Sequence, residues 1–250
     1  MSNKFYQPGE QRAEKVNDLF ATIAPRYDLI NDLQSFGLHR SWKRKLIKLA
    51  HVQPGEKALD LCCGTGDVSF ALARAGAEVT GLDFSAPMLA VAEGRKFKIQ
   101  NKKFKNPKAT PSVYFFQGDA QNTPFPDQHF DVVTISYGLR NLANFDGGMR
   151  EMWRLIKPGG RILVLDFGKP DNAVWRSFYF AYLRWFVPAF GRIFCGDSET
   201  HAYILESLKN YPAQRGVETK MKELGCRDPQ IHNLFGGMMS INVGKRPLDS

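Results

Sequence analysis

Residues 59–72, LDLCCGTGDVSFAL, constrain this chain more than any other stretch. An apolar run ends in two cysteines, breaks at Gly64-Thr65-Gly66 and gives way to a helix-compatible segment. A glycine pair after a strand lets backbone approach a ligand where a side chain would clash, and it aims helix amides at that ligand. Three readings compete: a metal site, a dinucleotide loop and a pocket for another nucleotide-like cofactor. Cysteine spacing argues against metal. Adjacent Cys62 and Cys63 point to opposite faces of a strand, and Cys195 and Cys226 add no ligand pair, so all four read as small buried hydrophobes. The dinucleotide fingerprint asks for a third glycine, and Ser69 stands in its place.

The pattern around this loop predicts an α/β fold. Strand-like KALDLCC, AEVTGLDF, SVYFFQGDA, FDVVTISYG and RILVLDF alternate with helix-like GDVSFALARAG, SAPMLAVAEGRKFKI and FDGGMREMWRLIKPGG, the last closed by Pro158 and Gly159. Such alternation gives a mostly parallel sheet with helices on both faces and a ligand site at the carboxyl ends of the strands. Before it, residues 1–50 read as an N-terminal helical lid, with Trp42, Leu46, Ile47 and Leu49 sharing one helix face. Residues 51–250 form the main domain, with a helical insertion at about 172–212 and a C-terminal antiparallel hairpin from CRDPQIHNLFGGMMSINVGKRP.

Each of three strand ends carries a polar group. Asp60 precedes the glycine loop and can face an ammonium group; Asp83, 17 residues beyond Gly66, can accept both hydroxyls of a ribose. Asp119 and Ala120 close the third strand, where a carboxylate and a backbone amide can read an adenine edge. In order these suit the amino-acid portion, the ribose and the base of S-adenosylmethionine. Each acid also has a plainer use: a turn cap for Asp60, a cap on the helix near Ser85 for Asp83, and a loop tether for Asp119.

Charge and targeting narrow the partners. The chain carries 34 basic and 25 acidic side chains, net +9, and seven of the basic ones fall in residues 94–111 without an acid among them. This excess suits an anionic partner, although the local run reads first as a solvated helix end and loop and only second as an RNA or lipid contact. The N-terminus shows no apolar leader, so a cytoplasmic protein is expected. The aromatic stretch 172–195, broken by Arg176, Arg184, Arg192 and Pro188, is no spanning helix. It suits either core packing or peripheral contact with a membrane.

The motifs LDLCCGTGD, VTGLDFSAPML, GDAQNTPFPDQHFDVVTISYGLRNL and LIKPGGRILVLDF resemble class I S-adenosylmethionine-dependent methyltransferases, with their Rossmann-like fold. Adding IAPRYDLINDLQSFGLHRSWKR, ISYGLRNL and LVLDFGKP, the chain from about Phe20 to about Gly244 resembles the ubiquinone/menaquinone biosynthesis C-methyltransferases. The resemblance implies S-adenosylmethionine as cofactor, a polyprenylated quinol as substrate, and cofactor contacts at Thr65, Asp83, Asp119, Ala120 and Ser136, beside Asp60, Gly64 and Gly66. Asp119 departs from the family, where asparagine is usual, and the basic insertion is longer than the usual connection.

Methylating a ring carbon requires that electron density be pushed onto the ring as a quinol hydroxyl loses its proton. Tyr137, Arg140 and Asn141 follow the fourth strand and are the first candidates, and Asp166 at the end of the fifth is a candidate base. Arginine stays protonated, so Arg140 is expected to stabilise phenolate charge or orient water, with Asn141 fixing it. The alternative is an ion pair between Arg140 and Asp146. No metal is needed and nucleic acid is not the expected partner. An RNA methyltransferase using the same cofactor and a non-catalytic cofactor-binding protein are the competing functions; a nicotinamide oxidoreductase ranks last.

Overall fold

The computed structural model describes residues 31–32, 35, 37–101, 112–189 and 199–249. Helix α1 (Leu38–Ala50) leads into β1 (Lys57–Leu61), α2 (Asp67–Arg74), β2 (Glu78–Asp83), α3 (Ala86–Asn101), β3 (Val113–Gln117) and β4 (Phe130–Ser136). A short 3₁₀ turn (Leu139–Asn141), α4 (Phe145–Leu155) and β5 (Ile156–Phe167) follow. Then come α5 (Ala173–Ala181), running into a π-helical turn at Tyr182–Phe186, α6 (Glu199–Asn210), α7 (Ala213–Glu223), β6 (Arg227–Leu234) and β7 (Met239–Lys245). The sheet order is β3-β2-β1-β4-β5-β7-β6, parallel from β3 to β5. β7 runs antiparallel to β5 and to β6, as the C-terminal hairpin predicts.

Strand alternation sorts the core into two layers. Leu59, Leu61, Val133, Ile135, Ile162 and Val164 face one side, with Met149 and Met152 of α4 and Val217 and Met221 of α7. Ala58, Val132, Leu163 and Leu165 face the other, with Leu46 and Ala50 of α1 and Val68 and Leu72 of α2. Of the expected N-terminal lid, Leu38–Ala50 is the described helix, and most of the rest lies outside the described residues.

The end of α4 differs from the sequence expectation. The helix stops at Leu155, before Pro158 and Gly159, because Ile156 already has extended backbone (φ −81°, ψ 135°) and pairs with Phe130. The register then jumps to Val132 opposite Arg161, so that residues 157–160 form an irregular bend inside β5, with Gly159 left-handed at φ 77°. Proline disfavours the helical region for its predecessor, Lys157, so the helix could not run up to Pro158 as the sequence pattern suggests.

Asp60 staples the sheet to α2. It is 1% exposed, and its carboxylate accepts from Ser69 Oγ of α2 at 2.6 Å and from Thr134 Oγ1 of β4 at 2.9 Å. Ser69, where a dinucleotide loop would carry its third glycine, is thus the hydroxyl donor to a buried acid. Burial pushes the Asp60 carboxyl up from 3.8 to about 6 against the two hydroxyl donors. A folded-state value above the unfolded one means that Asp60 favours the fold fully below its unfolded pKa and loses that contribution as pH rises through about 6. Asp60→Asn cannot titrate. Its unfolding free energy relative to wild type should therefore rise by roughly 2–3 kcal/mol from about pH 4 to about pH 7. Parallel denaturant melts read this difference directly, and a pH-independent difference would mean that Asp60 titrates normally.

Candidate active site

A cleft holding about 760 Å³ of empty space, part of it open to solvent, lies at the carboxyl ends of β1–β4. Cys62 and Gly64 enter it from β1, Asp83, Phe84 and Ser85 from β2, and Gly118, Asp119, Ala120 and Gln121 from β3. Ser136, Tyr137, Gly138, Asn141 and Leu142 come from the β4 end, and Met88 reaches in from α3. Among the residues expected to hold the cofactor, Gly64, Asp83, Asp119, Ala120 and Ser136 therefore share one cleft. Asp60, Thr65 and Gly66 do not line it. Asp60 lies beneath, on Ser69 and Thr134. Thr65 is buried, and its carbonyl and hydroxyl oxygens accept from Arg95. Gly66 is a packing glycine: a Cβ there would come within 2.9 Å of Phe70 and Phe115.

Asp83 organises the loop. Its Oδ2 accepts from the Gly64 amide at 2.8 Å and its Oδ1 from the Ser85 amide at 2.9 Å. Burial raises its pKa from the ordinary carboxylate value, while these amides and that of Phe84 pull the other way. A carboxylate offers about four acceptor sites, so with these amides in place Asp83 can still accept from a further hydroxyl. The side-chain hydroxyls of Ser85 and Ser136 are buried without a hydrogen-bond partner among the described residues, and both belong to cleft-lining residues. Orphaned buried hydroxyls of this kind call for a ligand partner. Ser85 thus does not cap α3 with its hydroxyl, although its carbonyl accepts from Leu89. The acceptors, the orphaned hydroxyls and the apolar wall of Leu82, Met88 and Leu142 fit a nucleoside carrying polar groups at both ends.

The β1 and β4 ends meet closely. Cys62 and Tyr137 are both left-handed, at φ 52° and 61°, and a Cβ on Gly138 would fall 2.4 Å from Cys62 Cβ. Burial, then Asp83 and Asp60, drive both Cys62 and Cys63 thiols well above their ordinary pKa, so neither is poised as a nucleophile.

The catalytic candidates divide. Tyr137 and Asn141 line the cleft; Arg140 and Asp166 lie behind it, 6% and 1% exposed. Arg140 does not pair with Asp146, whose carboxylate takes Lys220 at 2.7 Å. Its guanidinium meets Asp166 at 2.9 Å and sits 4.6 Å over the Phe167 ring. Asp166 also accepts from the backbone amides of Arg140 and Phe167. Arg140 Nη1 and Asn141 Nδ2 both donate to the Tyr137 carbonyl. Sequence reasoning missed Cys62, Ser85, Met88, Gln121 and Leu142 as lining residues. For Ser85 a signal existed, a hydroxyl two residues beyond the expected ribose acceptor; the others carry none.

The ubiE/COQ5 methyltransferase family model matches residues 9–246. The chain is 39% identical to the ubiquinone/menaquinone biosynthesis C-methyltransferase UbiE of Ectopseudomonas mendocina, over 96% of this chain and 92% of that one. It is 40% identical to UbiE of Pseudomonas savastanoi pv. phaseolicola over the same shares. Solved structures share the fold at lower identity. The [4+2]-cyclase SpnF aligns with a TM-score of 0.62 at 16% identity, covering 99% of this chain and 100% of that one. Phosphoethanolamine N-methyltransferase 2 of Haemonchus contortus, in complex with S-adenosyl-L-methionine, aligns at 0.58 and 16% identity over 83% of this chain and 52% of that one. With the family model spanning nearly all of it, the chain belongs to the ubiE/COQ5 methyltransferase family.

Proposed function

We propose that this chain transfers the methyl group of S-adenosyl-L-methionine to a ring carbon of a polyprenylated quinol, demethylmenaquinol or 2-methoxy-6-polyprenyl-1,4-benzoquinol. The observation that carries this reading is the convergence of Asp83, Asp119, Ala120 and Ser136, from the ends of β2, β3 and β4, on one cleft. The bound cofactor supplies an electrophilic methyl on sulfur. Asp83 holds the ribose hydroxyls, Asp119 and the Ala120 amide meet the base, and Gly64 with Ser136 borders the amino-acid end. Phe84, Met88 and Leu142 exclude water beside the reacting groups.

Tyr137 and Asn141 are the polar groups that touch the quinol, as they line the cleft at the β4 end. Arg140 and Asp166 neutralise each other and act on the substrate through the Tyr137 carbonyl, so their contribution is orientation of the ring toward the methyl group. Asp166 already accepts three hydrogen bonds, which suits this supporting role better than that of a base.

The tail and its membrane have a matching surface. On α5 and the turn after it, Val174, Phe178 and Trp185 are 66%, 64% and 70% exposed, and Phe235 from the β6–β7 connection is exposed beside Trp175, ring centroids 6.0 Å apart. Arg184 lies over the Trp185 ring at 5.3 Å, placing a cation next to the apolar face. Among the described residues no helix is long and apolar enough to cross a membrane. These features support peripheral contact through the described part of 172–195; residues 190–195 lie outside the described residues.

Labelled methyl from S-adenosylmethionine should appear in the quinol fraction when reduced demethylmenaquinone, the benzoquinol and bulk RNA are offered in parallel. Label in RNA alone would overturn the substrate. Asp83→Ala should weaken S-adenosylhomocysteine binding by at least about tenfold in calorimetry, and Asn141→Ala should retain binding while turnover falls by roughly tenfold to a hundredfold. Asp166→Asn leaves a buried guanidinium without its counter-charge and should lower the unfolding free energy by about 3 kcal/mol. Flotation with phosphatidylglycerol vesicles should recover wild type, and Phe178→Ser/Trp185→Ser much less; equal recovery would remove the membrane face.

A further inference from the structure

The glycine loop has little regular structure to hold its shape. Within Cys62–Gly66, Cys62, Gly64 and Gly66 are left-handed, at φ 52°, 55° and 84°. Inside the loop Gly66 N donates to the Cys63 carbonyl, and at its edge Cys63 N donates to the Leu82 carbonyl of β2. Beyond those bonds its geometry depends on what grips it from outside. On the cleft side the grip is Asp83, which takes the Gly64 amide.

The other side has its own grip, and none of its members lines the cleft. Arg95 of α3 donates through Nη1 to the Thr65 carbonyl at 2.9 Å and to the Thr65 hydroxyl at 3.0 Å, and through Nη2 to Asp67 Oδ1. Lys43 of α1 donates to Asp67 Oδ2 at 2.8 Å. Asp67 is the first residue of α2, so the clamp fixes both the loop and the helix that leaves it. The Arg95 guanidinium is supported from below by Phe70, 5.6 Å from the ring centroid. Burial alone would raise the Asp67 carboxyl, but Lys43 and then Arg95 outweigh it and hold it at about 2, so the clamp stays charged throughout the neutral range. The nearby charges on α1 and just before it leave the clamp intact: Arg40 is paired with Asp32, and burial together with Lys43 keeps His39 on its neutral side.

Asp83 and Arg95 stand on one unit, the end of β2 and the third turn of α3. The loop is therefore held front and back by the same β2–α3 piece, and Lys43 ties the start of α2 to α1. We propose that Arg95 and Lys43 are positioning residues for S-adenosylmethionine: acting through Thr65 and Asp67, they pre-set the glycine loop for the cofactor without touching it. The two cations play different parts. Arg95 spans three acceptors with one planar fork, which a lysine cannot do, whereas Lys43 supplies a single contact that an arginine can replace.

Calorimetric titration of the full chain with S-adenosylhomocysteine, alongside initial rates with S-adenosylmethionine and reduced demethylmenaquinone, tests this. Arg95→Met should weaken S-adenosylhomocysteine binding by roughly tenfold and raise the cofactor KM by a similar factor while the quinol KM stays. Arg95→Lys should recover little of the loss. Lys43→Met should weaken binding by about threefold, and Lys43→Arg should restore it. Wild-type affinity in Arg95→Met overturns the proposal. So does an equal loss of cofactor and quinol affinity accompanied by a lowered melting temperature, which would mark a merely structural contact. If Arg95→Met does not fold, the Lys43 pair decides: equal affinity in Lys43→Met and Lys43→Arg overturns it. Failure of the quinol reading has a separate signature, since wild type would then bind S-adenosylhomocysteine with the clamp effects intact and transfer no methyl to a quinol.

Discussion

Everything at the active end of this molecule depends on the parting of two neighbouring parallel strands. β1 and β4 are hydrogen-bonded along their length, yet β1 leads into α2 on one face of the sheet and β4 into α4 on the other. Their exits must diverge, and divergence opens a crevice at that point of an otherwise close-packed sheet. The two residues that make the diverging turns, Cys62 and Tyr137, are the left-handed non-glycine residues of the cleft. A conformation of this sort persists where surroundings over-determine it. For Tyr137 they do: its amide donates to Leu165, and its carbonyl accepts from Arg140 and Asn141. The bare Gly138 lets Cys62 close against it.

Two acids are buried under this crevice and are stabilised in opposite ways. Asp60 has two hydroxyl donors and no cation paired with it at contact distance among the described residues, so burial prevails over these donors, Lys43 and the Ser69 amide, and its carboxyl moves up to about 6. Asp166 receives a guanidinium and two backbone amides, which supply a full counter-charge. A buried ion pair adds little net stability over an apolar pair of the same shape, but it resists the loss of either member. Its use here is geometric, since Arg140 spends the same Nη1 on Asp166 and on the Tyr137 carbonyl. The pair also bears on the helical layer: burial raises the Tyr179 and Tyr211 hydroxyls, and Asp166 adds to both shifts while Arg140 opposes them. Both tyrosines remain neutral at any ordinary pH.

The strand ends were legible in the sequence because each polar group stands at or just beyond the end of a strand-like run. Asp83, Asp119 and Ser136 could be placed on one edge without knowing a single contact. Boundaries and partners were harder. Asp146 stands close to Arg140 in the chain, but α4 carries it toward Lys220 of α7, and the arginine finds Asp166, 26 residues on. Ser69 looks like a lost glycine until the fold puts Asp60 beneath it. Arg95 lay in a run of basic residues that reads as a solvated helix end, and its fork on Thr65 joins positions 30 apart for which no local pattern exists. Propensity and periodicity describe one element at a time, so pairs that form between elements stay invisible to them.

The helical layer beyond β5 combines a fixed base with an apolar outer face. Gln214 of α7 accepts from the Lys169 amide and donates to the Lys169 carbonyl, and its own carbonyl takes Asn242 of β7. Asn172 caps α5 by accepting from Trp175 N, and Trp175 Nε1 donates to the Phe235 carbonyl. The start of α5 is thus closed by its own cap and tied to the β6–β7 connection through its indole. Within α5, however, Tyr179 alone is buried. Core packing therefore accounts for Tyr179, Leu183 and Val187 on one stripe and leaves Val174, Phe178 and Trp185 facing outward. Those residues follow a helical spacing of their own, so the segment carries two apolar stripes. One of them already has its partner in the sheet. The other stays exposed at the surface with Phe235 beside it, and the proposed peripheral membrane contact rests on this second stripe.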